Sequence, residues 1–156
     1  MGNEKMTEDK KVFELIKSGK FEDIPSENWK NRDVVLKAIE VSADGLQFAD
    51  EKFHFDREIV LKAVKSHGNC LGYVLNKNFL EDQEIVLEAI KSSGCEVLEY
   101  LLGISNPDKW DGPPKKLLSN KEFIINAVKL DEGCLSYADV SLAYDPDLTL
   151  NKINKL

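Results

Sequence analysis

The stretch REIVLKAVKSHG (residues 57–68) returns 26 residues later as QEIVLEAIKSSG (residues 83–94). A near-copy of one segment at a fixed step marks a repeat architecture, in which a supersecondary unit is stacked on copies of itself. Two further copies align with this pair: NRDVVLKAIEVSADGLQFAD from residue 31 and NKEFIINAVKLDEGCLSYAD from residue 120. The unit starts, Asn31, Asp56, Asp82 and Asn120, are 25, 26 and 38 residues apart. The long step contains ISNPDKWDGPPK (residues 104–115), without which the third unit is also about 26 residues long.

Each unit opens as a helix opens. Asn or Asp accepts hydrogen bonds from the free amides of a first turn, and an acid two places on (Asp33, Glu58, Glu84, Glu122) favours the positive end of the helix dipole. The body repeats apolar residues at fixed places, Ile59, Val60, Leu61, Ala63 and Val64 being matched by Ile85, Val86, Leu87, Ala89 and Ile90. At about 100° per residue these cover roughly 200° of the helix, wider than the stripe of a surface helix, so each helix must be covered on more than one side. Gly68, Gly94 and Gly133 follow and suit a left-handed helix end. A shorter helix comes next, with Leu, a spacer and an aromatic ring: Leu46 and Phe48, Leu71 and Tyr73, Leu98 and Tyr100, Leu135 and Tyr137. The ring is expected to plug the space between the two helices of its unit. A pair of this size closes no core alone, and stacking supplies the missing cover.

The expected fold is all-α: a short α-solenoid of about four helix-pair repeats of 25–26 residues with capping helices at both ends. The whole chain, 1–156, reads as one domain, with repeats at 31–55, 56–81, 82–119 and 120–144. Residues 7–30 form the N-terminal cap, in which Trp29 is expected to seal the start of the array. Residues 145–156 (DPDLTLNKINKL) form the C-terminal cap, a helix opened by Asp145 and Pro146. There Lys152 takes the place held by Ala38, Ala63, Ala89 and Ala127, as suits a helix turned to water.

The helix pattern D-x-E-I-V-L-x-A-V-K, followed by Gly and then L-x-Y-A, resembles a short helical-repeat family, domain of unknown function 4116, over about residues 31–144. The resemblance implies an α-helical repeat protein of the kind found in microbial and protist proteins, suspected bacterial effectors among them. It brings no catalytic residues. The chain departs from the pattern at Phe48, where other units carry Tyr, and at the insertion in the third unit.

Composition narrows the function. The 156 residues are 42% hydrophobic and 31% charged, with a formal net charge of −7. That composition is globular, and the acidic balance opposes direct nucleic-acid binding, which needs a clustered basic face. No apolar run is long enough to span a membrane, the first residues lack the apolar core of a secretory signal, and Met6 stands where a myristoylation motif after Gly2 wants Ser or Thr. Three cysteines, none in a CxxC pair, argue against an extracellular disulfide framework and for a reducing, cytoplasmic setting. An effector would be delivered into a host cytosol.

No P-loop, dinucleotide fingerprint, EF-hand or G-x-S-x-G elbow is present. Cys70, Cys95 and Cys134 all follow the mid-unit Gly, where repeat packing explains them as small buried residues. The alternative, His67 and Cys70 with Cys95 as metal ligands, names no fourth ligand and matches no zinc spacing. No catalytic, cofactor or metal residue is therefore expected, and the protein is read as a monomeric, non-enzymatic protein-interaction module or scaffold, an effector-type regulator among the options. Its partner-binding residues are placed in the inserted loop: Trp110 with Asp108, Lys109 and Asp111. The alternative is an acidic inhibitor that imitates nucleic acid and blocks a basic cleft. Charge distribution weighs against it, because residues 82–119 carry seven acids and four bases whereas 56–81 carry three acids and four bases.

Overall fold

The computed structural model describes residues 2–102, 115–142 and 144–148; every regular element within them is an α-helix or a 3-10 helix, with no strand. In chain order the α-helices are α1 (Gly2–Lys17), α2 (Arg32–Val41), α3 (Asp44–Gln47), α4 (Arg57–Ser66) and α5 (Lys77–Leu80). They continue with α6 (Gln83–Ser93), α7 (Leu98–Leu101), α8 (Lys115–Leu118) and α9 (Lys121–Leu130). The repeated motif forms α2, α4, α6 and α9, each packed on the next, with α1 against α2.

The helix starts lie where the sequence places them. Asn31 accepts from the amide of Asp33, Asp56 from those of Glu58 and Ile59, Asp82 from those of Glu84 and Ile85, and Asn120 from that of Phe123, at 2.9 to 3.3 Å. Four equivalent positions are buried in each of these repeat helices: Val34, Val35, Ala38 and Ile39 in α2; Ile59, Val60, Ala63 and Val64 in α4. Ile85, Val86, Ala89 and Ile90 follow in α6, and Phe123, Ile124, Ala127 and Val128 in α9. Spacing i, i+1, i+4, i+5 makes one continuous face, and the half-buried Leu61 and Leu87 widen it.

Past the long helices the chain departs from a plain helix pair. The second element is mostly 3-10, at Gly68–Tyr73 and Glu132–Tyr137, or a 3-10 turn running into α7 at Cys95–Val97. A third short element leads into each next helix: Ser26–Lys30, Glu51–Phe55, α5 and α8. These segments are too brief for a stable α-ladder, and i to i+3 bonds close them, as from the Phe53 amide to the Asp50 carbonyl at 2.9 Å.

The glycines also differ from expectation. Of Gly68, Gly94 and Gly133, only Gly94 has positive φ, at 80°. Gly68 is required for close approach instead: a Cβ there would stand 2.2 Å from the Ala89 carbonyl oxygen of α6. The aromatic residues are relocated as well. Tyr73, Tyr100 and Tyr137 are only half-buried and lean on the preceding unit, while Leu46, Leu71 and Leu98 fill the interior. Tyr73 donates to Asp44 at 2.8 Å, the Tyr100 ring covers Gly72, and Tyr137 donates to Glu99 at 3.4 Å. Phe48 follows the same rule toward the N-terminal segment, stacking on Trp29 at 5.4 Å and tilting against Phe21 at 5.9 Å. Phe48 thus packs on rings where Tyr73 and Tyr137 reach carboxylates. Trp29 is buried and closes that end.

Among the expected caps, α1 begins at Gly2 and turns Val12 and Ile16 into the core. At the other end Pro146–Leu148 forms a 3-10 turn in which Asp145 accepts from the Asp147 amide at 2.9 Å and Leu148 is buried. Residues 149–156, with Lys152, lie outside the described residues.

Candidate interaction surface

The edge made by the helix starts is a charged ladder. Arg32 in the first turn of α2 reaches Asp56 at 3.8 Å and Glu58 at 2.7 Å, and Arg57 of α4 reaches Asp82 at 2.9 Å and Glu84 at 2.6 Å. Lys121 of α9 reaches Asp145 at 3.0 Å and Asp147 at 2.7 Å. Each base takes the cap acid and the dipole-facing acid of the following unit. Burial pushes the Asp82 carboxyl up, but the Arg57 hydrogen bond and the amides of Ile85 and Glu84 outweigh it, leaving the group below its ordinary value. The ladder has one missing rung, because α6 carries Gln83 at the place of Arg32, Arg57 and Lys121.

The junction after that rung differs in other ways. The insertion falls here, and residues 103–114, with Asp108, Lys109, Trp110 and Asp111, lie outside the described residues. The chain returns at α8, whose Leu118 carbonyl accepts from the Asp139 amide at 3.0 Å. Beside this contact, on the 3-10 turn Val140–Leu142 and just after it, Val140 is 80% exposed and Tyr144 93% exposed. Across the junction, Asp131 accepts from the amide of Cys95 at 2.9 Å and that of Gly133 at 2.9 Å. Those two amides hold its carboxyl below the ordinary range.

The histidines and cysteines are spread through the packing. Cys70 is buried and donates to the Ala43 carbonyl at 3.5 Å, burial pushing its thiol up to about 12. Cys95 faces the other way, toward the fourth unit, so His67, Cys70 and Cys95 do not share one site. Among the described residues no group of three or more His, Cys, Asp or Glu side chains is placed to hold a metal ion. His54, which the repeat alignment did not single out, is buried with Nδ1 lacking a hydrogen-bond partner. A cleft of about 280 Å³ runs between α1 and the turn at Asp23, floored by Val12, Leu15 and Pro25 and rimmed by Glu8, Asp9 and Glu27. Lys11, Asp23 and Asn28 complete its lining. Among the described residues no helix is long and apolar enough to cross a membrane.

Repeated helices, a repeated cap and a repeated inter-unit contact define the chain as an α-helical repeat protein. A family model described as Domain of unknown function (DUF4116) matches residues 31–77 and, one repeat later, residues 56–102. Residues 31–102 thus carry the family resemblance that the motif implied. No curated protein matches the chain, and no solved structure does.

Proposed function

We propose that the protein is a four-unit α-solenoid, with repeats 31–55, 56–81, 82–119 and 120–144 between an N-terminal cap (7–30) and a C-terminal one (145–156). It acts as a non-enzymatic protein-interaction module. Its binding face centres on the inserted segment 104–115, with Trp110 as anchor and Asp108, Lys109 and Asp111 around it, and extends over Val140 and Tyr144. The carrying observation is the near-complete exposure of Val140 and Tyr144 beside the point where the insertion returns. Val41, Phe55, Leu75 and Leu130 are also exposed, at 43 to 54%, but Val140 and Tyr144 are the barest large side chains among the described residues, and such surface is what a partner would cover. The charged ladder supports this reading over the acidic-inhibitor alternative, since six of the carboxylates on that edge are paired with Arg32, Arg57 and Lys121.

The test compares the wild type with Trp110→Ala and Val140→Asp in affinity capture from the cells in which the chain occurs, quantified against the thermal midpoint. A central aromatic anchor carries on the order of 2 kcal/mol or more, so tenfold or greater weakening is expected in both variants with the midpoint moved by only a few degrees. Retained binding in both, or a loss that merely tracks a lower midpoint, sinks the proposal.

A further inference from the structure

The repeat alignment separates the three cysteines into two kinds. Cys70 and Cys134 each precede the Leu of the L-x-Y motif by one residue, whereas Cys95 lies three residues before its Leu98. The place three before is taken by Ala43 in the first unit, and the inter-unit geometry pairs these two places: Cys70 meets Ala43 of the unit before it. The same relation one junction further on sets Cys134 against Cys95. The Cys95 Sγ stands 2.7 Å from where a Cβ on Gly133, the residue before Cys134, would be. Gly133 leaves the space in which the Cys95 sulfur lies next to Cys134, and the Asp131 carboxylate, accepting from the Cys95 and Gly133 amides, ties the two segments together.

We propose that Cys95 and Cys134 are a dithiol site that closes reversibly into a disulfide, stapling the third unit to the fourth at the junction where the charged ladder has no rung. The oxidant is a small organic disulfide, R–S–S–R. The half-buried Cys95, as thiolate, attacks one sulfur and expels one R–S⁻. The fully buried Cys134, as thiolate, then attacks the Cys95 sulfur of the mixed disulfide and expels the second R–S⁻. Two thiols lose two protons and two electrons, and the oxidant leaves as two R–SH. The bond closes residues 96–133 into a ring that contains the inserted segment. Burial, together with the neighbouring Cys95 and Asp131, raises the Cys134 thiol to about 12. The reaction is therefore slow at neutral pH and faster as pH rises. Cys70 has no thiol opposite it, only Ala43, and serves as an internal control.

The experiment incubates the reduced, folded protein with oxidised glutathione at mildly alkaline pH, blocks remaining thiols after unfolding, and maps peptides by mass spectrometry without reduction. The expected result is a loss of two hydrogens, a Cys95–Cys134 linked peptide, an alkylated Cys70 and a raised urea midpoint that returns on reduction. Cys134→Val, the residue that Val97 places at this position in the third unit, is expected to leave Cys95 as a glutathione adduct. Cys95→Ala, copying Ala43, should leave Cys134 unreacted and abolish the midpoint shift; it keeps the test open should the first variant fold poorly. A wild type that gives only adducts, a linkage through Cys70, or no thiol loss after prolonged exposure overturns the proposal.

Discussion

His54 occupies the second place before a unit's cap, where Trp29, Leu80 and Leu118 stand in the other units, all buried. A ring nitrogen without a partner in that slot costs stability that an apolar side chain would not. His54→Leu is accordingly expected to raise the unfolding free energy by about 1 to 3 kcal/mol, measured in urea at neutral pH. The pH dependence follows from linkage. Burial lowers the folded-state pKa of His54, against smaller upward pulls from the Ala49 and Tyr73 backbone and from Glu51. The unfolded chain therefore takes up the proton first. This contribution is complete above the unfolded value of about 6.5, declines as pH falls below it, and levels off once the folded-state pKa is passed. The Leu variant should lack that decline, and identical slopes in the two proteins would show that His54 does not titrate in this way. Nothing in the sequence flagged His54, because periodicity marks apolar positions and a histidine in the pattern reads as surface.

At the level of the element, the caps were legible because they are local: an Asn or Asp and the two amides beyond it settle the helix start within four residues. The array itself uses Asn and Asp interchangeably there, in Asn31 and Asn120 against Asp56 and Asp82. Asp56→Ala should then cost about 1 kcal/mol, at most about 2, while Asp56→Asn costs a small fraction of that. Equal losses in the two variants would mean that Asp56 acts through Arg32 rather than through the amides of Glu58 and Ile59. The second element was misread for the opposite reason. Whether Tyr73 plugs its own unit or leans on Asp44 of the one before depends on how units cross, which no local pattern encodes, and the interior falls to Leu71 instead. Gly68 shows the same limit: its place after a helix suggested a backbone need, whereas the Ala89 carbonyl of another unit is what excludes a side chain.

Across the whole molecule the units are not equally joined. α6 packs on α4 and on Gly68–Tyr73 more extensively than on α9, and the junction to α9 lacks the basic rung. Opening free energies follow such differences in packing. In native-state hydrogen exchange of the reduced protein, the amides of α9 should exchange before those of α4 and α6. Uniform protection through all three would mean that the array opens only as one body. The repeat and its period were legible throughout residues 31–144, but this inequality between junctions was not, since it arises from which side chains meet across units. The ladder has a further consequence. Arg32 and Arg57 both reach forward to an Asp and a Glu two residues apart, so the surface leaving the first unit fits the surface entering the third as well as the second. If residues 56–81 were excised, Arg32 would meet Asp82 and Glu84 in place of Asp56 and Glu58, a near-equivalent pair. The array could thus lose this whole unit and keep its charged edge paired at the new joint.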